Sequence, residues 1–301
     1  MDNDKKIVKF IKQLIKNTKF RLNYRDLEIL PEKAGNELLL SKLNNNTSFM
    51  ACRAGATEMR CVEEYFKTGH FSEKIKREIS ELSGVFPVDE QFLERFCNYY
   101  ILCMEKADII ALWGVGAESK IVHEYCNKAM FTTLHALEPY YFQCPWSKAL
   151  EQKKVLVIHP FIDSIKLQYT KREKIYPGTE ILPEFKNLQC VKAVQSFAGQ
   201  KTAYNDWFEA LDSMKSNISE CDFDVAIIGA GAYGLPLAAY VKSLGKQAIQ
   251  MSGATQILFG IKGKRWDDHP VISKFYNDAW VRPLQSETPP ETQKVEGGSY
   301  W

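Results

Sequence analysis

From residue 48 onward the apolar positions of this chain fall into two alternating patterns. Short runs of consecutive apolar residues, rich in Val and Ile, are separated by longer stretches whose apolar residues recur every three or four positions. The short runs predict strands at Ser48 to Arg53, Asp108 to Trp113, Phe131 to Leu137, Lys154 to Ile158, Cys190 to Val194, Val225 to Ile228 and Lys246 to Met251. The longer stretches predict helices at Glu58 to Lys67, Phe71 to Leu82, Asp89 to Lys106, Glu118 to Lys128, Tyr204 to Ile218 and Leu235 to Leu244. A further helix after Phe161 carries Lys166, Gln168, Lys171, Arg172 and Lys174, a cluster with the look of a solvated face. Strand and helix in alternation predict an α/β fold: a mainly parallel, Rossmann-like sheet with helices on both faces and an N-terminal helical cap. In such sheets ligands collect beyond the carboxyl ends of the strands, so the turns there are the first place to look for chemistry.

The flanks read differently. Ile7, Val8, Phe10, Ile11, Leu14 and Ile15 share one helix face, opposite Lys5, Lys6, Lys12 and Lys16. Such a helix over residues 1–17 can lie on an anionic membrane surface or, more commonly, cover a domain with its apolar face. Residues 1–47, with a short helix around Glu37 to Leu43, form the cap. Residues 48–150 and 151–283 form two α/β halves, the second the more Rossmann-like. An aromatic joint lies between them, with Tyr140, Tyr141, Phe142 and Trp146 around Pro139 and Pro145. After Pro283 the composition turns to Ser, Glu, Thr, Pro and Gly, so residues 284–301 read as a tail. Its terminal Tyr300 and Trp301 suggest that it docks on this domain or a neighbour.

Composition narrows the class. A net charge of +2 over 301 residues gives no electrostatic case for nucleic acid. The first ten residues lack a signal peptide's apolar core, and no apolar run is long enough to span a bilayer, so a cytoplasmic location is expected. The eight cysteines are scattered without a C-x-x-C pair, which argues against zinc and for packed, reduced thiols.

Candidate chemistry concentrates in Asp224 to Met251. There a strand runs directly into Gly229-Ala230-Gly231-Ala232-Tyr233-Gly234, a helix follows with Gly245 at its end, and a second strand begins. This is a βαβ unit with G-x-G-x-x-G at its first turn, and a helix N-terminus of that kind offers N–H groups to a phosphate. The acid that would grip a ribose at the end of the second strand is missing, since that strand ends Ile249-Gln250-Met251-Ser252. NAD is therefore not expected. A glycine turn that only packs a helix tightly on a strand remains the alternative.

Other strand ends add polar groups. Arg53-Ala54-Gly55-Ala56-Thr57-Glu58 offers an arginine for phosphate or carboxylate, a glycine for close approach, and a glutamate for a metal or a proton. The same residues also make an ordinary capped helix start. Gly114-Val115-Gly116 and His159-Pro160-Phe161 close two further strands, and His159 reads as structural. Lys262-Gly263-Lys264-Arg265 is a basic turn suited to a diphosphate, or simply a solvated loop.

On these residues the chain resembles the GT-D-type glycosyltransferase fold of bacterial enzymes that build surface polysaccharides and glycoproteins. SFMACRAGATE (Ser48 to Glu58) resembles that family's strand and R-x-G-x-x-E turn. DVAIIGAGAYGLPLAAYVKSLGKQAIQMSG (Asp224 to Gly253) resembles its late strand, glycine turn, helix and following strand, and Lys154 to Ile158 fits the strand that opens its second half. The resemblance implies a sugar-nucleotide donor and a glycan or lipid-linked acceptor. It implies a divalent metal, Mn²⁺ or Mg²⁺, held by a D-x-E pair. In this chain Ala56 stands where the aspartate would be, leaving Glu58 alone. Arg53, Lys264 or Arg265 then become candidates to replace the metal at the diphosphate.

The expectation is a nucleotide-sugar-dependent glycosyltransferase of surface polysaccharide synthesis. Gly229, Gly231 and Gly234 would hold the diphosphate, with Gly55, Ser252, Lys264 and Arg265 around it. Arg53 would neutralise the leaving nucleotide, and Glu58 would serve as metal ligand or general base. Two rivals stand beside it: a non-catalytic nucleotide-binding or assembly protein, favoured by Ala56, and an enzyme using NAD or S-adenosylmethionine at the same turn. Oligomeric state is left open, a homo-oligomer included.

Overall fold

The computed structural model describes residues 14–197, 200, 202–290 and 297–301. The helical face predicted from Lys5 to Lys16 lies mostly outside these residues. Of its apolar members only Leu14 and Ile15 are described, and both are exposed at the start of a helix over 14–23. Seven strands form one sheet in the order β3-β2-β1-β7-β6-β4-β5, and every neighbouring pair is parallel. They are β1 Phe49–Cys52, β2 Ile109–Leu112, β3 Met130–Thr133, β4 Lys154–His159, β5 Asn187–Lys192, β6 Val225–Ile228 and β7 Gln247–Gln250. The seam between the two halves is a strand pair, because β7 hydrogen-bonds to β1 from Phe49 opposite Gln247 to Ala51 opposite Ile249.

β1, β2 and β6 are apolar at every position, and β4 and β7 in their interiors, because both of their faces are covered. Met50, Cys52, Ile110, Leu156, Ile158, Ala226 and Ile228 enter one core. Phe49, Ala51, Ile109, Val155, Val157, Ile227 and Ile249 enter the other, as the two-residue period of a strand requires. The first face is covered by α2 (Ala56–Thr68), α3 (Glu73–Ser83), α4 (Glu90–Glu105), α5 (Glu118–Tyr125), α8 (Trp207–Ser219) and α9 (Gly234–Ser243). The second face is covered by α1 (Glu32–Asn44), α6 (Ile162–Tyr169), α7 (Arg172–Ile175), α10 (Thr255–Leu258) and the aromatic joint, where Tyr140 and Trp146 are fully buried.

Three elements differ from the sequence expectation. β3 stops at Thr133 and Leu134–Leu137 is a 3₁₀ turn. Its neighbour β2 ends at Leu112, opposite Thr133, so residues beyond have no ladder to join. β5 starts at Asn187 and ends at Lys192, because β4 sets its register from Lys154 to His159. It is an edge strand whose exposed Asn187 and Lys192 hid its span from a search for apolar runs. α8 begins at Trp207, since the Asp206 carboxylate accepts from the Glu209 N–H at 2.8 Å and caps the helix there.

The tail is docked on this domain. Glu287, nearly fully buried, accepts from the backbone N–H of Asp163 at 2.8 Å and of Ser164 at 3.1 Å, and also from the Ser164 hydroxyl. A carboxylate from a distant segment thus caps the positive end of α6. Trp301 donates its indole N–H to the Glu287 carbonyl at 3.3 Å. Lys264 and Arg265 donate backbone N–H groups to the carbonyls of Trp301 and Ser299.

What positions the site is the way successive strands hand the chain to opposite faces. The segment after β1 packs on the first face, that after β7 on the second, that after β6 on the first and that after β4 on the second. These four strands are consecutive neighbours in the sheet. The loops at their carboxyl ends therefore part from one another, opening a crevice between β1 and β7 and another between β6 and β4.

Candidate functional site

The first crevice is a polar cleft of about 360 Å³. Arg53, the residue after β1, reaches across to β7. Its N–H donates to Gln250 Oε1 at 2.9 Å and its guanidinium donates to Ser252 Oγ at 3.0 Å. The guanidinium lies 4.9 Å from the ring centre of Trp113, whose indole N–H is held by the Ala54 carbonyl at 2.9 Å. Stacking and one hydroxyl orient the cation. Among the described residues it forms no ion pair, and its buried Nε–H has no partner. Ser252 presents its hydroxyl from a left-handed backbone, φ 57°, an uncommon conformation for a residue with a Cβ.

Glu58 faces the same cleft from the first turn of α2 and is only 6% exposed. Its carboxylate folds back over Gly55, in the space that a side chain there would occupy. The positive end of α2 favours a negative charge at that point. Among the described residues no hydrogen-bond donor or cation satisfies this carboxylate. Gly55 itself gives its N–H to the Tyr100 hydroxyl at 3.2 Å.

Three polar residues of the cleft, His135, Glu138 and His269, were not singled out in the sequence. Burial pushes the Glu138 carboxyl above the usual carboxylate range, while the Tyr140 hydroxyl at 2.9 Å and the charges of His135, Arg53 and Arg265 pull it back. His135 and Glu138 arrive on the 3₁₀ turns that replace the end of β3, a region with no periodicity to betray them. The only sequence sign was the aromatic joint, and Tyr141 is the part of it that reaches the cleft.

The three glycines of the β6–α9 turn do different work. A Cβ on Gly229 would lie 2.6 Å from His159 Cδ2 and from the Ser252 carbonyl, and the Gly229 N–H is already given to Ile158. Gly229 is therefore a packing glycine and not a phosphate donor as the sequence motif suggested. Gly234 packs against the Gln250 side chain and lines neither crevice. Gly231, φ 53° with open space around it, lines both. Gly114-Val115-Gly116 closes on the buried Glu118 carboxylate, which accepts from the Trp113 and Gly114 N–H groups and from Tyr24, so that turn is architecture.

Of the basic turn, Arg265 lines the polar cleft, its guanidinium 4.8 Å from the Tyr300 ring centre. The Lys264 side chain is exposed and lines neither crevice.

The second crevice, between β6 and β4, is a smaller chamber of about 130 Å³ whose walls are mostly apolar. Tyr300 and Trp301 form part of it, and Trp301 sits 5.9 Å from Phe161 and 5.7 Å from Phe197, centre to centre. His159 is buried there. Its Nδ1 accepts from the Phe161 N–H at 3.0 Å, and burial lowers its pKa to about 3, so it is neutral with its proton on Nε2. The two crevices share Leu82, Ser83, Gly231, Ala232, Ser252, Gly253 and Tyr300 as a common wall.

No family model matches the sequence, and no curated protein matches it. A solved structure that does match is described as a selenomethionine-substituted structure of domain of unknown function 1792. It is 12% identical, with a TM-score of 0.49, and the match covers 89% of this chain and 96% of that one. At that identity and score the likeness says nothing about which residues act.

A resident metal is poorly provided for. Among the described residues no three His, Cys, Asp or Glu side chains come together closely enough to hold an ion. Glu58 alone supplies too few oxygens for Mg²⁺ or Mn²⁺. No described helix is long and apolar enough to cross a membrane.

Proposed function

We propose that the polar cleft binds the diphosphate of a sugar nucleotide and that the protein transfers the sugar to an acceptor hydroxyl. One observation carries the reading. A guanidinium with a buried, unpartnered Nε–H and no ion pair among the described residues (Arg53) and a carboxylate that accepts from no donor among them (Glu58) face one cleft beside the open Gly231 turn. A buried donor without a partner, as at Arg53 Nε, is costly unless a ligand completes it.

In this reading the diphosphate lies between Arg53, Arg265 and the N–H groups around Gly231, at the start of α9. The acceptor oxygen attacks the anomeric carbon, the bond from that carbon to the phosphate oxygen breaks, and the acceptor proton passes to the Glu58 carboxylate. Arg53 neutralises the charge that develops on the leaving nucleoside diphosphate. Glu138, with its raised pKa, holds a proton more readily and faces the same space. The chemistry is assigned to these side chains, with no step through a metal.

The test is sugar transfer or slow donor hydrolysis, followed by release of nucleoside diphosphate across a panel of sugar nucleotides. Glu58→Gln should lower turnover by about 10² or more, the usual worth of a general base. Undiminished turnover would remove Glu58 from the mechanism. The position of Ala56 favours a second reading, a protein that binds sugar nucleotides without transferring them. Ala56 lines the cleft two residues before Glu58. Saturable binding with no turnover, and manganese-dependent turnover appearing in Ala56→Asp, would establish that second reading.

A further inference from the structure

The β6–β4 chamber is a site that the diphosphate reading does not use. It adjoins the polar cleft across Gly231, Ala232 and Tyr300, so a ligand whose phosphates lie at the Gly231 turn has room to extend into both crevices. The two differ in what they can hold. The cleft carries Arg53, Arg265, Glu58 and Glu138, which suit the hydroxyls of a sugar and the charge of phosphate. The chamber carries Phe161, Phe197 and Trp301, with no charged side chain on its wall.

Some of its polar groups are committed, as Ser196 is to the Gly84 carbonyl, and others are not. His159 is neutral, and its Nε2–H has no partner among the described residues. The Gln195 amide has none either, and it offers both a donor and an acceptor. The Gln256 amide is fixed by its NH₂ group, which donates to the carbonyls of Ile261, Lys262 and Tyr300, leaving a buried Oε1 without a donor. A small aromatic-walled chamber with a spare N–H and a spare amide along its edge matches a flat heteroaromatic ring. Such a ring stacks by its faces and hydrogen-bonds by its rim.

Resting on the diphosphate reading above, we infer that the chamber holds the nucleobase of the donor, so that the base lies beyond β6 and β4 and the sugar beyond β1 and β7. Phe161, Phe197 and Trp301 supply the stacking surface. His159 and Gln195 read the edge of the base. Tyr300, seated on the bare Cα of Gly253, separates the two ends of the ligand.

Calorimetric titration of the full chain with inorganic pyrophosphate and with the four common nucleoside diphosphates tests this. At least one nucleoside diphosphate should bind about tenfold or more tightly than pyrophosphate, the order expected of one stacked base. Gln195→Trp, which fills the chamber from a position outside the polar cleft, should erase that gain and leave pyrophosphate binding intact. An azido-base analogue of the preferred nucleoside diphosphate, irradiated on the wild-type protein, should label peptides containing 159–161, 195–197 or 301. That readout stands even if the tryptophan variant does not fold. Labelling at Trp113 or Tyr141 overturns the inference, as does a gain that survives Gln195→Trp. If no nucleoside diphosphate outbinds pyrophosphate, the inference falls while the phosphate site stands. If pyrophosphate does not bind either, the diphosphate reading itself falls.

Discussion

The two crevices are products of the same backbone event and yet share almost no chemistry. Each opens because adjacent parallel strands send their following segments to opposite faces of the sheet. The crevice between β1 and β7 is lined by an arginine, two glutamates and a second arginine. The crevice between β6 and β4 is lined by three aromatic rings and a histidine kept neutral by burial. Topology thus decides where a ligand can go, and a handful of loop side chains decides which part of it goes where. The glycine turn between them belongs to both, and only one of its three glycines, Gly231, faces open space.

Several substitutions should separate the two crevices. The largest effect expected is Glu58→Gln, which should cut turnover by about 10² or more with only a small change in the thermal midpoint, since the carboxylate it replaces is held by the helix dipole alone. Next is Arg53→Ala. Loss of a charge-assisted contact should weaken pyrophosphate binding by roughly ten- to a hundredfold, as read by calorimetry, whereas Phe197→Ala should weaken only the base-dependent part.

A third pair of variants contrasts the glycines by urea unfolding. Gly229→Ala forces a methyl against His159 and the Ser252 carbonyl and should cost about 1–3 kcal/mol. Gly231→Ala meets nothing and should cost about 1 kcal/mol for its left-handed backbone.

The remaining effect is a pH dependence. The folded state lowers the His159 pKa from 6.5 to about 3, so the unfolded chain takes up this proton first on acidification. The stability this histidine contributes is full above pH 6.5 and is lost as pH falls toward 3. His159→Asn should flatten the slope of stability against pH within that window, and an unchanged slope would mean the ring is already charged in the fold.

Much of this was legible from residue order alone. The apolar runs located β1, β2, β4, β6 and β7 to within a residue or two, since strands covered on both faces leave an unmistakable signature. The Arg53 to Glu58 turn was found as a unit because a strand end, a glycine and two charges fall within six residues. What escaped detection has physical causes. Glu138 comes from 3₁₀ turns with no period. β5 is an edge strand with a diluted pattern. The G-x-G-x-x-G motif specifies a close helix–strand contact as readily as a phosphate site, and at Gly229 and Gly234 it is the former. Lys264 and Arg265 are alike in sequence, and only the seating of the tail on their backbone shows that one points into the cleft and the other away.

The Glu287 cap at the start of α6 has a kinetic reading. The amide protons of Asp163 and Ser164 are shielded by a carboxylate from the tail, and the same stretch of tail accepts the indole N–H of Trp301. Whenever the tail lifts, those two amides lose their acceptor and become exchangeable with solvent deuterium. Their exchange rate is therefore a clock for how often the Tyr300–Trp301 wall leaves the crevices, and a ligand that spans both should slow it.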